Sequence, residues 1–381
     1  MSKKRNSNKR NRNSLSDSED EHTIDNEESV DEFVDLLLGH FHDDVEEKNE
    51  PKLKRPRKLK YVELKVKVDT LDDIINISKN NKAKNGEKYN IDLEAINRLE
   101  PILEKFKSMI GMKKLKQTIT DQIIYFLQDF EKKNSHMMHT VIAGPPGCGK
   151  TEVANIMANI YSALGFLKNN KVKKVRRSDL IGEYLGQTAV KTQKAIDNAK
   201  GGVLLIDEAY SLGNPEGKDI FSKECLDTIN QNLSEEKTNF ICIIVGYKEQ
   251  LQSCFFNYNP GLERRFPFRF EVDEYNHNDL FNIFKKQVND ADWSIVENEQ
   301  KLLSFFEKNR KVFKYNGGDL ETLFQVAKIS HSKRVFGLSK DERKKLNAND
   351  IENGFEAFML NNNVKERLEK DDIDIISHLY N

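Results

Sequence analysis

The apolar positions of the chain change period several times. Up to residue 60 they are sparse, and the charged residues change sign twice: a basic, Asn/Ser-rich start (Lys3, Lys4, Arg5, Lys9, Arg10, Arg12), an acidic block over 17–50, then a basic run over 51–60. So little apolar surface cannot offset the entropy of ordering, and 1–60 is expected to be a disordered charged tail. Within it Val30, Phe33, Val34, Leu37 and Phe41 keep helical spacing, which fits either a short helix formed on a partner or transient helicity with no role.

Tyr61, Val62, Leu64, Val66 and Val68 form a lysine-studded, strand-like run, followed by a helix through Leu71, Ile74 and Ile75 and a polar loop over 79–89. Residues 61–90 therefore read as a small strand-helix unit and linker. Helical periods return over 91–106 and 112–130, where Leu115, Ile119, Ile123, Ile124 and Leu127 make one apolar face. Short β-branched runs then alternate with helical stretches, at 140–143, 172–175, 203–206, 240–245 and 266–272. This alternation predicts an α/β domain over 91–273: a parallel five-stranded sheet with helices on both faces. The helical patterns that follow (279–288, 299–308, 319–334, 349–360) predict a small all-helical lid domain over 274–360, with 361–381 as a C-terminal tail.

Charge and composition narrow the function. The 61 basic and 62 acidic residues leave a net charge of −1, so no global field draws the molecule to nucleic acid or membrane. No apolar stretch is long enough to span a bilayer and no secretory core opens the sequence, so an intracellular protein without a membrane partner is expected. The run PKLKRPRKLK at 51–60 suits a nuclear-import signal or a solvated linker, which leaves cytoplasm and nucleus both open. Cys148, Cys225, Cys242 and Cys254 lack the spacing of metal or redox motifs and are expected to be reduced thiols.

The chemistry is concentrated after the first core strand. GPPGCGKT at 144–151 follows the run HTVIA and precedes a helix-forming stretch, the required context for a phosphate-binding loop. Gly144, Gly147 and Gly149 allow the tight backbone turn that aims several N–H groups at phosphate oxygens, with Pro145, Pro146 and Cys148 completing the binding loop beside the helix N-terminus at Glu152. Lys150 reaches the β and γ phosphates of ATP, and Thr151 offers a hydroxyl to Mg²⁺. Downstream, GGVLLIDEAY at 201–210 places two acids at the end of a buried strand: Asp207 for the metal, Glu208 to polarise the attacking water. A glycine-rich turn that binds nothing, and acids that only cap the next helix, are the structural alternatives.

Together these motifs resemble the AAA+ ATPases, in the branch containing the CbbX rubisco activases and the sporulation protein SpoVK; the likeness extends over about 103–360. The resemblance implies that MIGM at 109–112 packs Ile110 and Gly111 on adenine. It implies that Tyr184, Leu185 and Gly186 in RSDLIGEYLGQTAVKT form a pore loop, and that Arg265 in NPGLERRF is an arginine finger, with Arg264 replacing a small residue. Two positions depart from the pattern. Gly246 and Tyr247 stand where many members carry an Asn or Thr that senses the γ phosphate, and Gly318 stands where the lid arginine is expected. Like its relatives, the chain is then expected to be a Mg-dependent ATP hydrolase, a homo-oligomer (a hexamer by analogy) that threads or remodels a protein client. The alternative is a nucleic-acid-associated accessory factor in replication or transcription, with Lys173, Lys174, Arg176 and Arg177 as a phosphate-binding patch.

Overall fold

The computed structural model describes residues 60–130, 137–214, 219–235, 239–339 and 343–369; the apolar island near Val30 and all but the last residue of the basic run lie outside them. At the N-terminal end, β1 (Lys60–Val62) pairs in parallel with β2 (Glu87–Tyr89). Between them α1 (Leu71–Asn80) is opened by a reciprocal capping box of Thr70 and Asp73. The strand expected to continue through Val68 stops at Val62. Asn90 takes its place in the pairing: the Leu64 N–H donates to Asn90 Oδ1 at 2.8 Å, and Asn90 Nδ2 donates to the Leu64 carbonyl at 3.1 Å. Its partner strand falls in the segment that polarity marks as a loop. Ile74, Ile75 and Ile77 of α1 are buried against α2 (Leu93–Ser108), which is followed by α3 (Lys113–Leu127).

The main sheet is wholly parallel and contains β3 (Thr140–Ala143), β4 (Val172–Val175), β5 (Val203–Ile206), β6 (Ile241–Gly246) and β7 (Phe268–Glu271), in the order β4-β5-β6-β3-β7. Alternate residues feed two cores, as a sheet covered on both faces requires. Val203, Leu205, Ile243 and Val245 enter one, and Leu204, Ile206, Cys242 and Ile244 the other. The β7 ladder begins at Phe268 rather than Phe266, since Pro267 has no N–H to pair.

The helices between strands are α4 (Lys150–Ala163), α5 (Arg177–Leu180), α6 (Gln187–Asp197), α7 (Ile220–Glu235) and α8 (Pro260–Arg265). After the sheet come α9 (His277–Asp290), α10 (Glu299–Asn309), α11 (Gly317–Arg334) and α12 (Ala348–Met359). This helical region also holds one short parallel ladder, β8 (Ser294–Ile295) with β9 (Lys345–Leu346), which no periodicity announces. Among the described residues no helix is long and apolar enough to cross a membrane.

Candidate functional site

Three strand ends meet at the C-terminal edge of the sheet, the place where open α/β sheets hold ligands. β3 delivers Gly144 and the loop behind it. Gly147 (φ 67°) and Gly149 (φ 82°) are left-handed, and Gly149 caps α4 without any side-chain acceptor for the first-turn amides. Those N–H groups and the helix dipole make a ready anion site. Lys150 Nζ donates to the Pro145 carbonyl at 2.6 Å and lies 4.6 Å from the centroid of the Tyr247 ring; burial lowers its pKa. Glu152, in the first turn of α4, pairs with Lys105.

β5 delivers the acids. Asp207 is buried, and its Oδ1 accepts from Thr151 Oγ1 at 3.3 Å while Oδ2 pairs with Lys174 Nζ at 2.7 Å. Glu208 is exposed and left-handed (φ 56°), an uncommon geometry for a non-glycine residue that turns its side chain out at the strand end. β6 lies between β5 and β3, with Gly246 opposite Ala143, so Tyr247 stands between the acids and the phosphate loop. Its ring stacks on Tyr210 with centroids 5.2 Å apart and planes at 27°. Both phenols have raised pKa values, through burial first and the Glu208 carboxylate second; that of Tyr210 is pushed up to about 12.

The helical region closes over the loop by reading its carbonyls. Gly317 N–H donates to the Gly147 carbonyl at 3.1 Å, Asn316 Nδ2 to that of Pro146 at 2.9 Å and the Tyr275 hydroxyl to that of Cys148 at 2.9 Å. Tyr275 also lies against Gly111 (φ 70°), where an added Cβ would be 3.1 Å from the ring. Ile110 is half-buried beside it. Gly318 faces open space, where an added Cβ meets nothing within 4 Å. A cleft of about 850 Å³ borders Gly144, Pro145, Pro146 and Tyr247, and another of about 390 Å³ runs from the same prolines to Tyr275, Arg310 and Asn316. Neither is lined by Thr151 or Asp207.

The other predicted residues lie apart from this edge. Tyr184 and Leu185 project from the turn before α6, 68% and 72% exposed, and Gly186 (φ 81°) ends that turn with nothing within 4 Å of an added Cβ. Arg265 is half-buried at the end of α8, its Nε donating to Ser234 Oγ and its Nη1 to the Gly261 carbonyl, each at 2.6 Å; Arg264 beside it is exposed. The cationic patch on and after β4 is divided. Lys174 is held by Asp207, and Arg177 by Asp219, Ser222 and the Ser211 carbonyl. Sequence reasoning left Tyr210, Tyr275, Lys174 and Asn316 without roles at the loop; the Tyr in DEAY and the Asn in NGGD are adjacent to motifs, but their contacts depend on strand order and on the helical region's docking.

Residues 140–274 match the family model described as ATPase family associated with various cellular activities (AAA). The chain is 46% identical over 295 residues to a CfxQ-like protein of Acanthamoeba polyphaga mimivirus, covering 77% of this chain and 73% of that one. It is 31% identical over 214 residues to the stage V sporulation protein K of Bacillus subtilis, covering 54% and 66% of the two chains. To CbbX of Cereibacter sphaeroides it is 28% identical over 249 residues, covering 63% and 80%.

Proposed function

The chain belongs to the AAA family of ATPases, in the branch of the CfxQ, CbbX and SpoVK proteins, and from that premise we propose that it is a Mg-dependent ATP hydrolase, assembled as a homo-hexameric ring, that threads or remodels a protein client. The observation that carries the reading is the apposition of the Thr151 hydroxyl and the Asp207 carboxylate, 3.3 Å apart, beside a helix N-terminus that no side chain caps. Hard oxygen donors of this kind suit a hydrated divalent cation, and Asp207 already holds a cation in the form of Lys174. When bound there, Mg²⁺ would neutralise phosphate charge.

The backbone N–H groups of Gly144 and of residues 147–151 bind the phosphates, with Ile110 and Gly111 beside the adenine. Lys150 exchanges the Pro145 carbonyl for the β and γ phosphates, since an ammonium binds phosphate oxygens more strongly than a neutral carbonyl. Glu208 orients the attacking water and accepts its proton. Arg265 serves the site of a neighbouring subunit; to reach it, the guanidinium must leave Ser234 and the Gly261 carbonyl, so hydrolysis is tied to assembly. Tyr184 and Leu185, with Gly186 as their pivot, grip the client, an apolar pair suited to varied sequences. The commitment of Lys174 and Arg177 to Asp207 and Asp219 weighs against the nucleic-acid reading.

The test is Glu208→Gln in the purified chain. Turnover should be abolished while ATP binding and assembly persist; turnover at the wild-type rate would overturn the role given to Glu208.

A further inference from the structure

The donors that the helical region presents to the phosphate loop fall on three consecutive peptide groups. The carbonyls of Pro146, Gly147 and Cys148 accept from Asn316 Nδ2, the Gly317 N–H and the Tyr275 hydroxyl. These peptide bonds are trans, so each carbonyl points away from the N–H of the residue after it. Fixing the carbonyls therefore fixes the direction of the Gly147, Cys148 and Gly149 N–H groups. Two of the three donors come from one turn, and that turn is itself tied down. Asn316 has φ 43° and ψ −117°, a backbone geometry that a residue with a side chain rarely adopts. Asp319, a buried carboxylate, accepts the N–H of the preceding Tyr315 at 2.8 Å. Arg367 grips that carboxylate in turn, its Nη1 lying 3.1 and 3.2 Å from the two oxygens and its Nη2 3.1 Å from Oδ1. The same guanidinium sits 4.1 Å from the centroid of the Tyr315 ring. Arg367 is carried by a short helix over 362–369, in the stretch expected to be a tail, and the buried Val364 anchors that helix.

We propose that Arg367 is a positioning residue for nucleotide: its grip on Asp319 and Tyr315 keeps the strained turn at 316–317 pressed on the loop, and the turn aims the loop's N–H groups at the phosphates. Arg367 does not touch nucleotide; it acts through Asn316 and Gly317. The inference rests on the ATPase reading above. A glycine-rich loop loses much freedom on ordering, so contacts that order it in advance lower the cost of binding. A planar fork on a carboxylate suits this task because it sets orientation as well as distance, which the point charge of a lysine does not. The loop's N–H groups meet phosphates in the ground state and the transition state alike. Loss of the fork should therefore raise KM and spare kcat.

The tests use the full chain, with ADP affinity by calorimetry and steady-state ATP turnover as readouts. Arg367→Ala should raise the Kd for ADP and the KM for ATP about 5- to 30-fold, the worth of one to two hydrogen bonds, with kcat within about 2-fold of wild type. Arg367→Lys keeps the charge without the fork and should fall between the two; it carries the test if the alanine variant does not fold. Val364→Ala removes packing from the same helix but leaves the fork, so it should lower the melting temperature while ADP affinity stays within about 2-fold of wild type. Asn316→Gly removes one donor and should raise the Kd about 5-fold. Combined with Arg367→Ala it should give less than the product of the two single effects, because both act on one turn. Unchanged ADP affinity in Arg367→Ala, a loss in kcat rather than KM, an equal loss of affinity in Val364→Ala, or single effects that multiply overturns the inference and leaves the ATPase reading intact. A wild-type protein that binds no nucleotide overturns that reading and the inference with it.

Discussion

Gly147→Ala tests whether the helical region is docked on the phosphate loop as described. An alanine Cβ would lie 2.0 Å from the Tyr315 carbonyl oxygen and 2.9 Å from its carbon. The obstacle is backbone, not the end of a side chain, so the clash is relieved only if the leading turn of α11 retreats. That retreat breaks the Gly317 bond to Gly147 and the Asn316 bond to Pro146. Each is worth about 1 kcal/mol, and a Cβ at φ 67° costs about 1 kcal/mol more. At about 2.1 cal/mol/K per residue, the sum of about 3 kcal/mol corresponds to a fall in Tm of about 4–6 °C for a chain of this size. Gly318→Ala is the control. It lies two residues from Asn316 in the same helical turn, its Cβ meets nothing within 4 Å, and it should be neutral or stabilising by up to about 1 kcal/mol. Thermal unfolding without nucleotide can be followed by Trp293, the chain's single tryptophan, which packs on Phe324 and His331 inside the helical region. A Gly147→Ala midpoint within about 1 °C of wild type would refute the docking argument.

His139 is fully buried, accepts the Cys242 N–H at Nδ1, and is held neutral by desolvation with a pKa lowered from 6.5 to about 4. The unfolded chain therefore binds more protons between those values, so stability present above about pH 6.5 should decline toward pH 4 by on the order of 3 kcal/mol; urea midpoints of wild type and His139→Gln that fall in parallel with pH would sink this account. Lys174→Met removes the cation on Asp207, worth about 1 kcal/mol for a partly exposed pair, and should lower the Mg²⁺ concentration for half-maximal ATPase about 5-fold; a Mg²⁺ titration giving an unchanged or higher requirement contradicts it. Tyr184→Ala should reduce client-stimulated turnover and remodelling at least about 10-fold, as loss of an aromatic anchor does, and both surviving intact would remove the grip model.

The parallel sheet could be read from the sequence because its strands are short, nearly unbroken apolar runs between helical periods, and burial on both faces demands that pattern. The nearness of the loop at 144–151 to Asp207 could also be anticipated, since phosphate chemistry requires glycines, a lysine and a hydroxyl in consecutive positions. What the sequence did not disclose are contacts made by tertiary geometry. Tyr247 meets Lys150 only because β6 lies between β5 and β3, and Asn316 meets Pro146 only because α11 begins over the loop. Alternating hydropathy extends β1 to Val68 because it cannot reveal that an asparagine side chain substitutes for a backbone partner at Leu64.

One apolar cluster runs without a break from Ile74 and Leu103 near the N-terminal unit, through Ile142 and Val245 in the sheet, to Leu280, Phe306 and Phe358 in the helical region. Interiors packed this closely do not deform smoothly; they exchange one interlocked arrangement for another. Any swing of the helices over the sheet must therefore proceed by discrete slips of side chains past one another. A nucleotide-driven stroke would have a threshold rather than a continuous range, and the residues that set its size would include Phe306 and Leu280, which belong to no phosphate-binding motif.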